Sequence, residues 1–142
     1  MALIVIDTCA ILKYALDEAG ADGVAEIFDR IEKRKDTAAI PATVLTELFA
    51  ILAKRNLARL AAEIEEFIVA TGIEIVPVSR DMAVLAGFLK AKYASAKKGF
   101  SYNDAIILAL AIEYDGKICT YDSEFDRVTE VTIFQPSSST SE

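Results

Sequence analysis

Four carboxylates, Asp7, Glu47, Asp104 and Asp122, stand where an α/β protein normally places an apolar or a capping residue. Asp7 ends the apolar run Ala2-Leu3-Ile4-Val5-Ile6, and Glu47 lies inside an apolar helical stretch. Asp104 opens the most hydrophobic helical segment, and Asp122 follows the short run Ile118-Cys119-Thr120-Tyr121. Acids brought together raise one another's pKa, so they do not all stay ionised without a cation between them. An all-oxygen ligand set of this kind suits hard ions, Mg²⁺ or Mn²⁺. The chemistry that such a metal site supports best is hydrolysis of a phosphodiester.

Each acid also has an ordinary reading. Asp7-Thr8 has the form of a helix start with Asp as N-cap. Ser101-Tyr-Asn-Asp104 matches a capping-box-like pattern whose acid supports the helix dipole. Tyr121-Asp-Ser-Glu has the composition of a turn. Glu47 is the hardest to explain in this way. Its helical neighbours are Thr43, Val44, Ala50 and Ile51, so no local cation pairs with it, and only a solvent-facing position would account for it. The four ordinary roles holding independently is a poorer account than one shared site. Around the acids, Thr8, Thr120 and Ser123 are hydroxyls able to hold a water or a phosphate oxygen. Asp126 is either a further outer acid or a salt-bridge partner, and Asn103 reads as structural. Lys90, Lys92, Lys97 and Lys98 form a basic run that either contacts phosphates or makes a solvated face.

Convergence of these residues requires a particular scaffold. Short apolar runs alternate with helical patterns from end to end. Strands are expected at residues 2–7, 37–40, 73–78, 117–121 and 131–134. Helices are expected at 8–17, 21–34, 42–55, 57–70, 80–95 and 102–114. The alternation implies an α/β fold, a parallel sheet with helices on both faces. Sites in open parallel sheets form outside the carboxyl ends of the strands. Asp7 and Asp122 lie at such ends, Asp104 at a helix start, and Glu47 one turn into a helix that follows a strand. All four can therefore face the same edge. No domain boundary or internal repeat interrupts residues 1–135, and the polar stretch 136–142 reads as a disordered tail.

Composition narrows the function. At 142 residues the chain fits one domain. Its apolar fraction of 54% exceeds the usual figure of about 45–50%, yet no segment approaches the ~18 uninterrupted apolar residues of a membrane span. The surplus points to a second buried surface, in an oligomer or against a partner protein. It is concentrated in residues 44–68, where Leu45, Leu48, Phe49, Leu52, Leu57, Leu60, Ile64 and Phe67 exceed what one helical face needs. Met1 leads straight into a strand with no signal-peptide pattern, so a cytoplasmic location is expected. The net charge of −7 argues against a generic nucleic-acid coat protein but not against a nuclease, whose acids would be offset by metal. Cys9 and Cys119 are too few and too far apart for a zinc site, and both read as small buried residues. The absence of histidine excludes Ser-His-Asp, Cys-His and two-histidine mechanisms, leaving carboxylate, lysine or metal-bound water as the general base.

The runs LIVIDTCAIL, IPATVLTELFAIL, SYNDAIILALAIEY and ICTYDSEFDRV resemble, in order and spacing, the four motif regions of a PIN domain. The closest resemblance is to the small ribonucleases of the VapC toxin type, and it spans residues 3 to about 128. It implies a three-layer α/β/α fold with a five-stranded parallel sheet and an acidic pocket holding Mg²⁺ or Mn²⁺. The activity it implies is endonucleolytic cleavage of RNA. Position by position, the pocket acids of the family fall on Asp7, Glu47, Asp104 and Asp122, and the hydroxyl before the last acid on Thr120. In the mechanism expected, Asp7, Asp104 and Asp122 hold one or two ions, and Glu47 binds a second ion or orients the attacking water. Toxins of this type usually form homodimers and are held inactive by a small antitoxin. The alternatives are an RNA-processing nuclease of the same fold, or a non-cleaving RNA- or protein-interaction module.

Overall fold

The computed structural model describes residues 2–136. Its five strands are β1 (Leu3–Ile6), β2 (Thr37–Pro41), β3 (Glu74–Val76), β4 (Lys117–Cys119) and β5 (Ile133–Phe134). They form one sheet in the order β3-β2-β1-β4-β5, every pairing parallel. Six helices flank it: α1 (Thr8–Ala15), α2 (Ala21–Glu32), α3 (Ala42–Lys54), α4 (Ala58–Thr71), α5 (Arg80–Tyr93) and α6 (Tyr102–Glu113). This is the three-layer α/β/α arrangement expected from the alternation of patterns.

The element types follow from local chemistry. β1 is buried almost throughout because it is the central strand with neighbours on both sides, which is why its apolar run does not alternate. α6 is apolar nearly all round, with Ala105 and Ile107–Ala111 buried, because it packs on β1, β2 and β4 while α5 covers its other side. Ser79 caps α5, its Oγ accepting from the Met82 N–H at 3.1 Å. Gly72 ends α4 at φ +98°, a left-handed conformation that glycine adopts without a Cβ clash. The strands are shorter than their apolar runs. β4 stops at Cys119, and Ser123–Arg127 forms a 3₁₀ turn capped by Asp122, where the sequence reads only as a turn.

Of the apolar surplus in residues 44–68, Leu48, Leu52 and Ile64 are core residues. Leu45, Phe49, Leu57, Leu60 and Phe67 are partly buried against that core. Phe67 joins a ring cluster with Tyr14 and Phe28, at centroid distances of 5.3 and 5.2 Å. The large apolar residues most exposed, Val69, Val84, Phe88 and Tyr102, lie outside that stretch. Among the described residues no helix is long and apolar enough to cross a membrane. Of the expected polar tail, Pro136 is buried and its carbonyl accepts from the Tyr121 hydroxyl at 3.4 Å, while 137–142 lie outside the described residues.

Gly20 precedes α2 at φ +100°, and a Cβ there would lie 2.8 Å from the Tyr121 hydroxyl oxygen. Gly20→Ala is therefore expected to destabilise the fold by about 1–3 kcal/mol, read as a lowered urea midpoint at unchanged slope.

Candidate metal centre

β1 and β4 are neighbours, and the chain leaves them in opposite directions across the sheet, β1 toward β2 and β4 toward β5. Their carboxyl ends therefore flank the point at which the strand order reverses, where open parallel sheets leave a crevice. Asp7 follows β1, and Thr120 and Asp122 follow β4. α6 presents Asp104 from its first turn to the same place. Asp7, Asp104 and Asp122 each offer a carboxylate oxygen such that all three lie within 4.8 Å of one another. Glu47, from α3, lines the same pocket, whose apolar wall is Leu12 and Ile51.

The ordinary roles of these acids are real and coexist with the shared site. Asp7 Oδ1 accepts from the Thr8 N–H at 2.7 Å as the N-cap of α1. Asp104 completes a capping box with Ser101, accepting from the Ser101 N–H at 3.2 Å while its own N–H donates to Ser101 Oγ at 3.0 Å. Asp122 Oδ1 accepts from the Glu124 N–H at 2.9 Å. Each cap fixes its carboxylate through one oxygen. Among the described residues, Asp104 Oδ1 and Asp122 Oδ2 accept no hydrogen bond. Capping here holds the side chains that form the cluster.

Thr120 links two of the acids. Its hydroxyl donates to Asp7 Oδ2 at 2.7 Å and accepts from the Asp122 N–H at 2.9 Å, and the residue is 4% exposed. Thr8 is buried beneath the pocket, and its Oγ1 is 3.5 Å from Asn103 Nδ2. The same amide donates to Glu47 Oε1 at 2.8 Å, so Asn103 sets the direction of the one acid without a capping role. The sequence reads Asn103 as structural only. A polar amide one residue before Asp104 is the available signal, but nothing local joins it to a glutamate 56 positions away.

Cys9 is the other residue whose place the sequence misses. It is a free thiol lining the acid pocket rather than a packed core residue, with Sγ donating to Asp7 Oδ2 at 3.1 Å and accepting from the Tyr121 N–H at 3.3 Å. Burial, followed by the charge of Asp7, pushes this thiol up to about 12, so it stays protonated as a donor to Asp7. Cys119 is buried as expected.

The electrostatics suit a bound cation. Burial, then the charge of Asp7, pushes the Asp104 carboxyl up to about 7. Asp7 is likewise raised, by burial against the opposing pull of its three hydrogen-bond donors, with Glu47 adding repulsion. A hard divalent ion among oxygen donors would relieve both, and the donor set matches Mg²⁺ or Mn²⁺.

The remaining candidates divide. Ser123 and Asp126 are exposed and line a neighbouring hollow with Asp122 rather than the acid pocket. Lys90 Nζ donates to the Phe100 carbonyl at 2.6 Å and lies 4.4 Å from the Tyr102 ring centroid. It braces the segment leading into α6. Lys92 pairs with Glu130 at 2.7 Å. Lys97 and Lys98 are exposed between α5 and α6.

The PIN domain family profile matches residues 4–131 of this chain. No curated sequence matches it. Among solved structures it is similar to VapBC2 from Rickettsia felis bound to a DNA fragment from their promoter. The TM-score is 0.77 at 18% identity, over 95% of this chain and 99% of that one. It is also similar to Mycobacterium tuberculosis VapC20, a toxin that cleaves the sarcin–ricin loop (TM-score 0.73, 17% identity, 90% and 98% of the chains). A toxin–antitoxin complex from Klebsiella pneumoniae is a third likeness (TM-score 0.65, 20% identity, 97% and 99%).

Proposed function

The chain belongs to the PIN domain family, and from that premise we propose that it is a divalent-metal-dependent endoribonuclease, the toxin of a type II toxin–antitoxin pair. The observation that carries the reading is the cluster of Asp7, Asp104 and Asp122, with ligand oxygens within 4.8 Å of one another at the carboxyl edge of the sheet. A Mg²⁺ or Mn²⁺ ion held there would supply water of lowered pKa and positive charge to offset that of the phosphate.

The chain's own residues have distinct parts. Asp7, Asp104 and Asp122 would hold the ion. Thr120, bonded to Asp7 and to the Asp122 backbone, keeps two of these ligands in register. Glu47, directed by Asn103, orients the attacking water and receives its proton. Leu12 and Ile51 limit access of bulk water to that side of the pocket. With no histidine in the chain, activation of the ribose 2′-hydroxyl by an imidazole pair is unavailable. In-line attack by water leaves a 5′-phosphate and a 3′-hydroxyl. Of the basic run, Lys97 and Lys98 are the exposed cations that would meet the RNA backbone, since Lys90 and Lys92 are engaged within the fold. The neighbours held in toxin–antitoxin complexes support a small antitoxin as partner. We further propose a cytoplasmic homodimer.

The test is cleavage of a mixed single-stranded RNA pool with Mg²⁺, Mn²⁺ or EDTA. Metal-dependent cutting that leaves 5′-phosphate ends is expected. Cyclic-phosphate ends, or cutting that persists in EDTA, would overturn the mechanism.

A further inference from the structure

On the other side of Asp122 from the acid pocket lies a larger hollow of about 600 Å³, within the ~300–1,000 Å³ range of sites for small organic groups. Asp122 lines both, so the hollow adjoins the acid pocket across that residue. Its lining residues include the aromatic Tyr121 and Phe134 and the polar Ser123, Asp126 and Gln135. Among the described residues no lysine or arginine lines it. Lys13 and Lys117 are placed over the rings of Tyr121 and Phe134, 4.9 and 5.4 Å from the centroids.

That lining selects one part of a nucleotide. With Asp122 committed to the ion, Asp126 has no salt-bridge partner among the described residues and repels a phosphate. A base is neutral, presents a flat apolar face to aromatic rings, and carries donors that a carboxylate accepts. Asp126 is exposed and enters no salt bridge among the described residues. Its two oxygens match two parallel donors, a geometry that only guanine offers, through N1–H and N2–H on its Watson–Crick edge. Adenine and cytosine present a single amino group beside a ring acceptor. Uracil flanks its one N–H with carbonyl oxygens that repel a carboxylate.

We propose that this hollow receives an unpaired guanine flanking the scissile phosphate, read by Asp126, with Tyr121 and Phe134 packing on the base. The proposal rests on the ribonuclease reading given above. It makes Asp126 a specificity residue rather than an outer metal acid, and it restricts substrates to single strands or loops, where that edge of guanine is free.

The experiment sequences the ends cut from a randomised single-stranded RNA pool by the wild-type protein and by Asp126→Asn, with Mn²⁺. Guanine is expected to be enriched over uracil at one position beside the cut by at least about tenfold, and the ratio is expected to approach parity in the variant. Because a ratio within one pool is read, any change in overall rate drops out. Wild-type cutting with a flat base profile, or a guanine preference that survives Asp126→Asn, overturns the proposal while leaving the ribonuclease standing. No cutting at all counts against the ribonuclease, and titration of guanosine and uridine into isotope-labelled protein then decides the hollow. Guanosine-specific shifts at Phe134 and Gln135 that disappear in Asp126→Asn uphold it as a base site. Equal or absent responses overturn it.

Discussion

Replacing Asp104 by Asn is expected to lower RNA cleavage by at least about 10³-fold and, in the same protein, to raise the melting temperature measured in EDTA. The loss follows from removing one of three anionic ligands and the positive charge they retain opposite the phosphate; 10³-fold corresponds to ~4 kcal/mol of transition-state stabilisation. The gain follows from the site's cost to the metal-free fold. A carboxyl pushed to about 7 is only about half ionised at neutral pH, whereas the unfolded chain ionises it fully, and each tenfold rise in its proton affinity represents ~1.4 kcal/mol. Allowing for solvent screening, about 2 kcal/mol is recovered when the charge is removed, roughly 5 °C in melting temperature for a domain of this size. Asparagine keeps an oxygen for the Ser101 N–H, so the capping box survives. Asp7→Asn should abolish cleavage as well, but with a smaller gain. Its Oδ2 accepts from both Thr120 and Cys9, and an amide group would present donors to donors there. Cleavage surviving in Asp104→Asn would remove the metal centre proposed here. Marked destabilisation by that substitution would mean that the cap is its main role.

The second large effect is on pH dependence, which metal changes. In the metal-free protein Asp104 and Asp7 both titrate above their unfolded values. Between about pH 4 and pH 7 the folded state thus binds more protons than the unfolded chain. Stability therefore falls as pH rises through that window, and the full penalty from Asp104 is present above about pH 7. Asp36, held below the usual carboxylate range mainly by its hydrogen bond from Arg30, acts in the opposite sense but only at lower pH. Metal binding requires the deprotonated carboxylates and releases protons. The stabilisation by saturating Mg²⁺ should therefore be larger at about pH 8 than at about pH 5.5. Melting curves across this range in EDTA and in Mg²⁺ check both slopes. A metal-free stability that rises from about pH 5.5 to pH 8 would contradict the crowding of acids on which the site reading depends.

Much of this was legible in the chain, and the reason is that the relevant patterns are local. The apolar run before Asp7, the helical spacing of Met82, Leu85, Phe88, Leu89 and Tyr93, of which only Phe88 is left exposed, and the capping pattern Ser101-Asp104 each report a short-range preference that survives folding. The positions of Asp7 and Asp122 past strands, of Asp104 in a first turn and of Glu47 one turn into a helix follow from the same patterns. What misled was also local in origin. The run Lys90–Lys98 reads as one basic patch, yet Lys90 and Lys92 are bound to Phe100 and Glu130, leaving Lys97 and Lys98 exposed. Cys9 reads as a small buried residue because composition alone cannot say which wall of a cavity it forms.

The sequence by itself determined the α/β class, the parallel sheet, and the four acids as candidates, because hydrophobic period and residue type suffice for those. Only the tertiary structure decided that β1 and β4 are adjacent, so that Thr120 bonds an aspartate 113 residues away and three carboxylates converge within 4.8 Å. It also decided that Asn103 directs Glu47, that Cys9 donates to Asp7, and that a hollow opens beside Asp122. Strand order and the contacts between distant segments are set by how helices and sheet share one core, and no period along the chain encodes that packing.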